Sequence, residues 1–132
     1  MQFMQDNAVY IFIALLLGWM LWQRVIWPKI SGVKSLNAAD YMQLRNREHT
    51  LVDVRQLGEW QSGHASTAVH IPLGEVAERM HEVAKDKVVI VICASGTRSS
   101  MAATAFANAG YSEVYNFSGG MGAWRSAGLP VR

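Results

Sequence analysis

The sequence has a single cysteine, Cys93, in 132 residues. That excludes an internal disulfide, and it accords with a reducing compartment. The four histidines, His49, His64, His70 and His81, show none of the short Cys/His pairings that zinc sites use, so no metal is expected. No Lys or Arg precedes Arg24, and nothing like A-x-A follows the first apolar run; a cleaved signal peptide would want both. Residues 35–132 hold nine basic and nine acidic residues, with no basic run, which gives no warrant for nucleic-acid binding. No internal repeat or low-complexity segment is visible.

What is present divides unevenly. Hydrophobic residues make up 51% of the chain, enough for one compact domain plus a small appendage. From Ala8 to Trp22 every residue is apolar or Gly, and Val25-Ile26-Trp27 adds a little more before Pro28. Ten strongly apolar residues between Val9 and Ile26 supply about −3 to −6 kcal/mol of insertion tendency on the biological scale. Trp19, Trp22 and Trp27 crowd one end and Tyr10 the other, as an aromatic belt would, and Arg24 can snorkel to an interface. The expectation is a transmembrane anchor over residues 8–27, after a short extracytoplasmic N-terminus at 1–7 and before a linker at 28–34. An uncleaved core or interfacial helix is the alternative. Basic residues follow the segment and none precedes it, so the positive-inside rule puts the N-terminus outside and the domain of residues 35–132 in the cytoplasm. That describes a single-pass protein of a bacterial-type inner membrane.

Within the domain, Asn37 is a good N-cap for a helix through Arg47, and Thr50 to Val54 reads as a strand. Arg55 to Gln61 holds a turn and a short helix, and Gly63 to Leu73 a long loop. Glu75 to Ala84 is predicted helical. Val88 to Ile92 shows no polar alternation, as a strand buried on both faces of a parallel sheet should not. The next helix places Met101, Ala102, Ala105, Phe106 and Ala109 at helical spacing and stops at Gly110. Glu113 to Phe117 is a strand, and Ser118-Gly119-Gly120 turns into a last short helix. Strands alternating with helices predict an α/β domain with a doubly wound, mainly parallel sheet flanked by helices.

Cys93-Ala94-Ser95-Gly96-Thr97-Arg98-Ser99 joins the apolar strand to the alanine-rich helix. Ligands of such sheets bind at the carboxyl ends of strands, where Cys93 falls. A free thiol has a pKa of about 8.5, so little of it is thiolate at neutral pH. Lowering that value by about 1.5 units takes about 2 kcal/mol of differential stabilisation. Converging backbone N–H groups, a helix N-terminus and Arg98 can together supply it. Gly96 allows φ > 0, so the N–H groups can converge, and Ser95, Thr97 and Ser99 add hydroxyl donors. The alternative is a buried structural cysteine followed by an ordinary turn. A lone cysteine without a fixed His or Asp partner argues against a protease-type dyad.

Cys93-x-x-Gly96-x-Arg98-Ser99 resembles the active loop of the rhodanese (sulfurtransferase) domain. Leu51-Val52-Asp53-Val54-Arg55 is similar to that family's Asp-Val-Arg strand end, followed by Glu59-Trp60 and Gly63-His64. Ile71-Pro72-Leu73 and Phe117-Ser118-Gly119-Gly120…Ala123-Trp124 also match, so the resemblance covers about residues 34–131. Thr67 and His70 depart from the family pattern, where a glycine and an asparagine are usual. The resemblance implies a single rhodanese-like domain in which Cys93 accepts a sulfane sulfur as a persulfide. The donor would be thiosulfate or another persulfide source, the acceptor a thiol or cyanide from outside the chain, and a protein acceptor is compatible with it. Ala94, Ser95, Gly96, Thr97, Arg98 and Ser99 would bind the substrate, with Arg98 steering an anionic donor and no cofactor needed. Asp53 and Arg55 read as a structural turn network near the site, and His64 and His70 as structural hydrogen-bonders. A phosphatase or arsenate reductase of related fold would have five residues between Cys and Arg, against four here. A membrane-tethered binding module or persulfide carrier without turnover is the other rival.

Overall fold

The computed structural model describes residues 2–23 and 32–132, which form two separate units. The first holds helix α1, Gln2–Leu21. Its early turns contain Gln5, Asp6 and Asn7, so the uninterrupted apolar stretch in the helix runs only from Ala8 to Leu21. Among the described residues no helix is long and apolar enough to cross a membrane, so the transmembrane helix expected over 8–27 is not found there, and its last residues, 24–27, lie outside the described ones. Arg24, Trp27 and Pro28, on which the anchor and linker readings also leaned, lie outside the described residues.

The second unit is an α/β domain. Its strands are β1 (Val33–Leu36), β2 (His49–Asp53), β3 (Val69–His70), β4 (Val88–Ile92) and β5 (Val114–Phe117). They form one sheet in the order β1-β5-β4-β2-β3, and every neighbouring pair is parallel. The helices are α2 (Ala38–Leu44), α3 (Leu57–Gln61), α4 (Val76–Arg79), α5 (Thr97–Asn108) and α6 (Gly120–Ser126).

β4 is buried along its whole length, and its alternation feeds two cores. Val89, Val91 and Cys93 face Ala102, Ala103 and Phe106 of α5. Val88, Ile90 and Ile92 face the side of Tyr41 from α2 and Met121 and Trp124 from α6. A parallel sheet covered on both faces is the structural reason for the unbroken apolar run in the sequence.

Differences from the sequence expectations are local. β1 begins at Val33, inside the stretch read as linker, and β3 is a two-residue strand inside the segment read as a long loop. The helix expected over Glu75 to Ala84 is instead a 3-10 turn (Leu73–Glu75), α4, and a second 3-10 turn (Met80–Glu82). The chain leaves helical geometry at the extended Val83, and there the Tyr111 hydroxyl is shared between the carbonyls of Met80 and Val83 at 2.7 Å each. Met101, expected on the buried stripe of α5, is exposed; the buried face is Ser99, Ala102, Ala103 and Phe106.

Candidate active site at the Cys93 loop

Cys93 follows β4 directly, and its side chain is fully buried. Gly96 then takes φ 109°, a left-handed conformation open to glycine, and becomes the N-cap of α5. That turn folds the chain back over the sulfur, so the Gly96 N–H donates to Sγ at 3.0 Å. One helical turn on, the Ser99 Oγ lies 3.2 Å from Sγ. Burial pushes the Cys93 thiol up, but the Ser99 hydroxyl and the amides of Ser99, Gly96 and Ser95 outweigh it. The net result is a pKa below the ordinary value.

The loop is clamped from β5 and α6. Asn116 of β5 stands in register with Val91 of β4. Its Nδ2 donates to the Gly96 carbonyl at 3.1 Å, and its Oδ1 accepts from the Ser99 hydroxyl at 2.6 Å. The Met121 N–H donates to the Cys93 carbonyl at 2.8 Å, which seats the start of α6 on the loop. Gly120, at φ 56°, makes that approach possible: a Cβ there would stand 2.3 Å from the Cys93 carbonyl oxygen and 2.5 Å from Ala94 backbone atoms.

The remaining predicted residues separate into two groups. Ala94, Ser95 and Thr97 are exposed at the loop mouth. Arg98 is held by Glu59 of α3 in a two-pronged pair, Nη1 to Oε1 at 2.6 Å and Nη2 to Oε2 at 2.9 Å. That contact with Arg98 holds the Glu59 carboxyl down to about 2. Asp53 and Arg55 are both buried. Arg55 reaches the Asp53 carboxylate at 2.8 to 3.0 Å and the Gly63 carbonyl at 2.8 Å, which ties the end of β2 to the chain beyond α3.

His64 and His70 both stack on the Trp60 ring, at centroid separations of 3.5 and 4.8 Å. A ring nitrogen of His64 lies 3.0 Å from the Trp60 carbonyl, and one of His70 lies 2.7 Å from the Arg55 carbonyl. Among the described residues no group of three or more His, Cys, Asp or Glu could hold a metal ion.

Two participants escaped the sequence reading. In the sequence Glu59 stands only as part of the Glu59-Trp60 motif; in the structure its carboxylate also accepts from the Gln56 N–H at 3.2 Å, at the start of α3. In the sequence Asn116 is one residue of the predicted strand Glu113 to Phe117. A polar residue inside an interior strand needs a partner, and that was the available signal.

The chemistry this geometry supports is a buried sulfur anion held by amides and one hydroxyl, beneath a mouth whose arginine is already paired. The family model described as "Rhodanese-like domain" matches residues 37–127. A thiosulfate sulfurtransferase, GlpE, of Vibrio cholerae is 36% identical over 96 residues, covering 73% of this chain and 90% of that protein. A sulfurtransferase of Allochromatium vinosum is 38% identical over 81 residues, covering 61% of this chain and 76% of that protein. The crystal structure of a rhodanese-related protein from Thermoplasma volcanium superposes with a TM-score of 0.68 at 33% identity, covering 75% of this chain and 97% of that one.

Proposed function

We propose that this chain, which belongs to the rhodanese-like domain family, moves a sulfane sulfur through a Cys93 persulfide. The Cys93 thiolate attacks the outer sulfur of thiosulfate. A Cys93–sulfur bond forms, the sulfur–sulfur bond of the donor breaks, and sulfite leaves with the electron pair. The persulfide keeps the negative charge on its outer sulfur, which an external thiolate or cyanide then attacks, returning Cys93 as thiolate. Charge balances in both steps without an added oxidant or a cofactor.

The observation that carries this reading is the lowered Cys93 pKa at a loop that aims amides and the Ser99 hydroxyl at the sulfur. A thiol whose ionisation is eased by its surroundings is what thiol–disulfide-type exchange needs. The four-residue spacing between Cys93 and Arg98 supports sulfur over phosphate as the transferred group, because the ring of amides is small.

Intact-mass measurement of the full chain after thiosulfate treatment tests it. The expected product carries one additional sulfur atom, lost on adding cyanide and missing in Cys93→Ser. No sulfur uptake from thiosulfate or from other persulfide donors would overturn the enzyme reading. Uptake without discharge to cyanide or a small thiol would favour the persulfide carrier.

A further inference from the structure

The Ser99 hydroxyl has one proton and two acceptors within reach. Cys93 Sγ lies 3.2 Å from Ser99 Oγ on one side, and Asn116 Oδ1 lies 2.6 Å from it on the other. The Asn116 amide cannot turn to relieve this, because its Nδ2 is engaged with the Gly96 carbonyl at 3.1 Å. Oδ1 therefore faces Ser99 as an acceptor only. In the thiol form the chain of donors runs from the Cys93 S–H to Ser99 Oγ, and from the Ser99 O–H to Asn116 Oδ1. In the thiolate form the sulfur needs the Ser99 proton, and Asn116 Oδ1 must give it up.

We infer that Asn116 is a positioning residue for the reacting sulfur: it competes for the Ser99 proton and so biases Cys93 toward the thiol. This rests on reading Cys93 as the sulfur-transferring residue, and it adds a group on β5 that sets when that residue is a nucleophile. Ionisation sends the Cys93 proton to a solvent base and breaks no bond between heavy atoms. The charged groups around the loop do not change between the two hydrogen-bond arrangements. Arg98 of α5 stays paired with Glu59 of α3, and Asp53 stays paired with Arg55 beyond β2. The wall formed by β5 contributes the neutral Asn116.

Asn116→Leu removes the competing acceptor at similar volume. Two outcomes separate cleanly by sign. If Asn116 only props up the loop, losing it loosens the amides around the sulfur, and the Cys93 midpoint rises. If Asn116 competes for the Ser99 proton, the midpoint falls by about half to one pH unit, the worth of one neutral hydrogen bond. The measurement is the rate of iodoacetamide alkylation of the full chain against pH. Below the midpoint, Asn116→Leu should react about three- to tenfold faster than the native chain. Ser99→Ala should raise the midpoint, and adding Asn116→Leu to it should produce no further fall. A midpoint that is unchanged or raised in Asn116→Leu, or that falls equally in the Ser99→Ala background, overturns the inference.

Should Asn116→Leu fail to fold, the native chain gives the same answer. The Asn116 side-chain amide resonances should move with the midpoint of Cys93 alkylation and stay flat in Cys93→Ser. A flat profile in the native chain overturns the inference. Sulfur uptake from thiosulfate, measured by mass on the same proteins, keeps the two claims apart. Uptake with an unmoved midpoint removes Asn116 from its role, whereas a moved midpoint with no uptake removes the sulfurtransferase reading.

Discussion

The Asp53–Arg55 pair and the Glu59–Arg98 pair both take their carboxylate from the segment that ends β2 and forms α3, yet water reaches only one of them. Side-chain exposure is 5% and 0% for Arg55 and Asp53, and 32% and 35% for Arg98 and Glu59. A pair taken out of water cannot lose one member without stranding the other charge, so it is committed to holding the fold. A half-exposed pair is screened and adds little stability. It can instead set the charge that an arriving anion meets. The same two residue types thus serve the frame at one site and the mouth at the other.

The comparison breaks most visibly at the buried pair. Asp53→Asn keeps the shape but leaves the Arg55 guanidinium unpaired inside the domain, and should cost about 3–5 kcal/mol in urea denaturation. Domains of this kind are stable by only about 5–15 kcal/mol, so the variant sits near the edge of folding at 25 °C. Glu59→Gln should cost under about 1 kcal/mol in the same assay. Similar losses for the two variants would remove the distinction.

Gly120→Ala sharpens the comparison from the opposite wall, because it touches neither pair. Its Cβ would collide with the Cys93 and Ala94 backbone, at 2.3 and 2.5 Å, so the loop must move by about an ångström. Displacement on that scale costs about a hundredfold in rate when reacting groups must be aligned. The expected result is sulfur uptake slowed by about that factor with both pairs intact. A native rate would mean that the amides do not hold the sulfur as the structure has them.

Charge swaps at the exposed pair give a smaller effect. With Arg98 and Glu59 both present the mouth is neutral; Arg98→Met leaves it negative and Glu59→Gln leaves it positive. One unit charge a few ångströms from an anion in water is worth about 1 kcal/mol, or about fivefold in rate. Sulfur uptake from thiosulfate at low salt should therefore be about fivefold slower in Arg98→Met and about fivefold faster in Glu59→Gln. The double variant should return close to native, and all three differences should shrink as salt is added. If Glu59→Gln slows the reaction as much as Arg98→Met does, the pair acts by fixing geometry and not by setting charge.

How much of this was legible depended on how far apart in the chain the partners lie. The strand Val88 to Ile92, the Cys93 loop and the helix after it are contiguous, and periodicity with turn chemistry placed them. β1 carries Lys34 and Ser35 in its middle, both exposed, so nothing local separates it from a linker; its pairing with β5 makes it a strand. β3 is two residues long and equally dependent on its neighbour β2. The partners that define the site's electrostatics, Glu59 with Arg98 and Asn116 with Ser99, are 39 and 17 residues apart. No spacing rule joins them; the parallel crossovers do. The apolar run of α1 is legible as composition, while the end of the expected span, residues 24–27, lies outside the described residues.

The last effect is the smallest, and its sign follows from the Glu59 carboxyl. Arg98 holds that group at about 2 in the folded chain, against an ordinary value of 4.5. A depressed folded pKa contributes stability that is fully present above the unfolded value and fades as pH falls through the folded one. The native chain should therefore exceed Glu59→Gln in urea midpoint by a small, constant margin above about pH 4.5, and the two curves should draw together between about 4.5 and 2. Added salt should narrow the margin above pH 4.5, because both partners of this pair are in contact with water. A margin that persists to pH 2, or that ignores salt, would mean that Glu59 contributes through its capping contact with Gln56 instead. In that case the difference between the two pairs would lie in where each anchors the backbone, and exposure would not be what separates them.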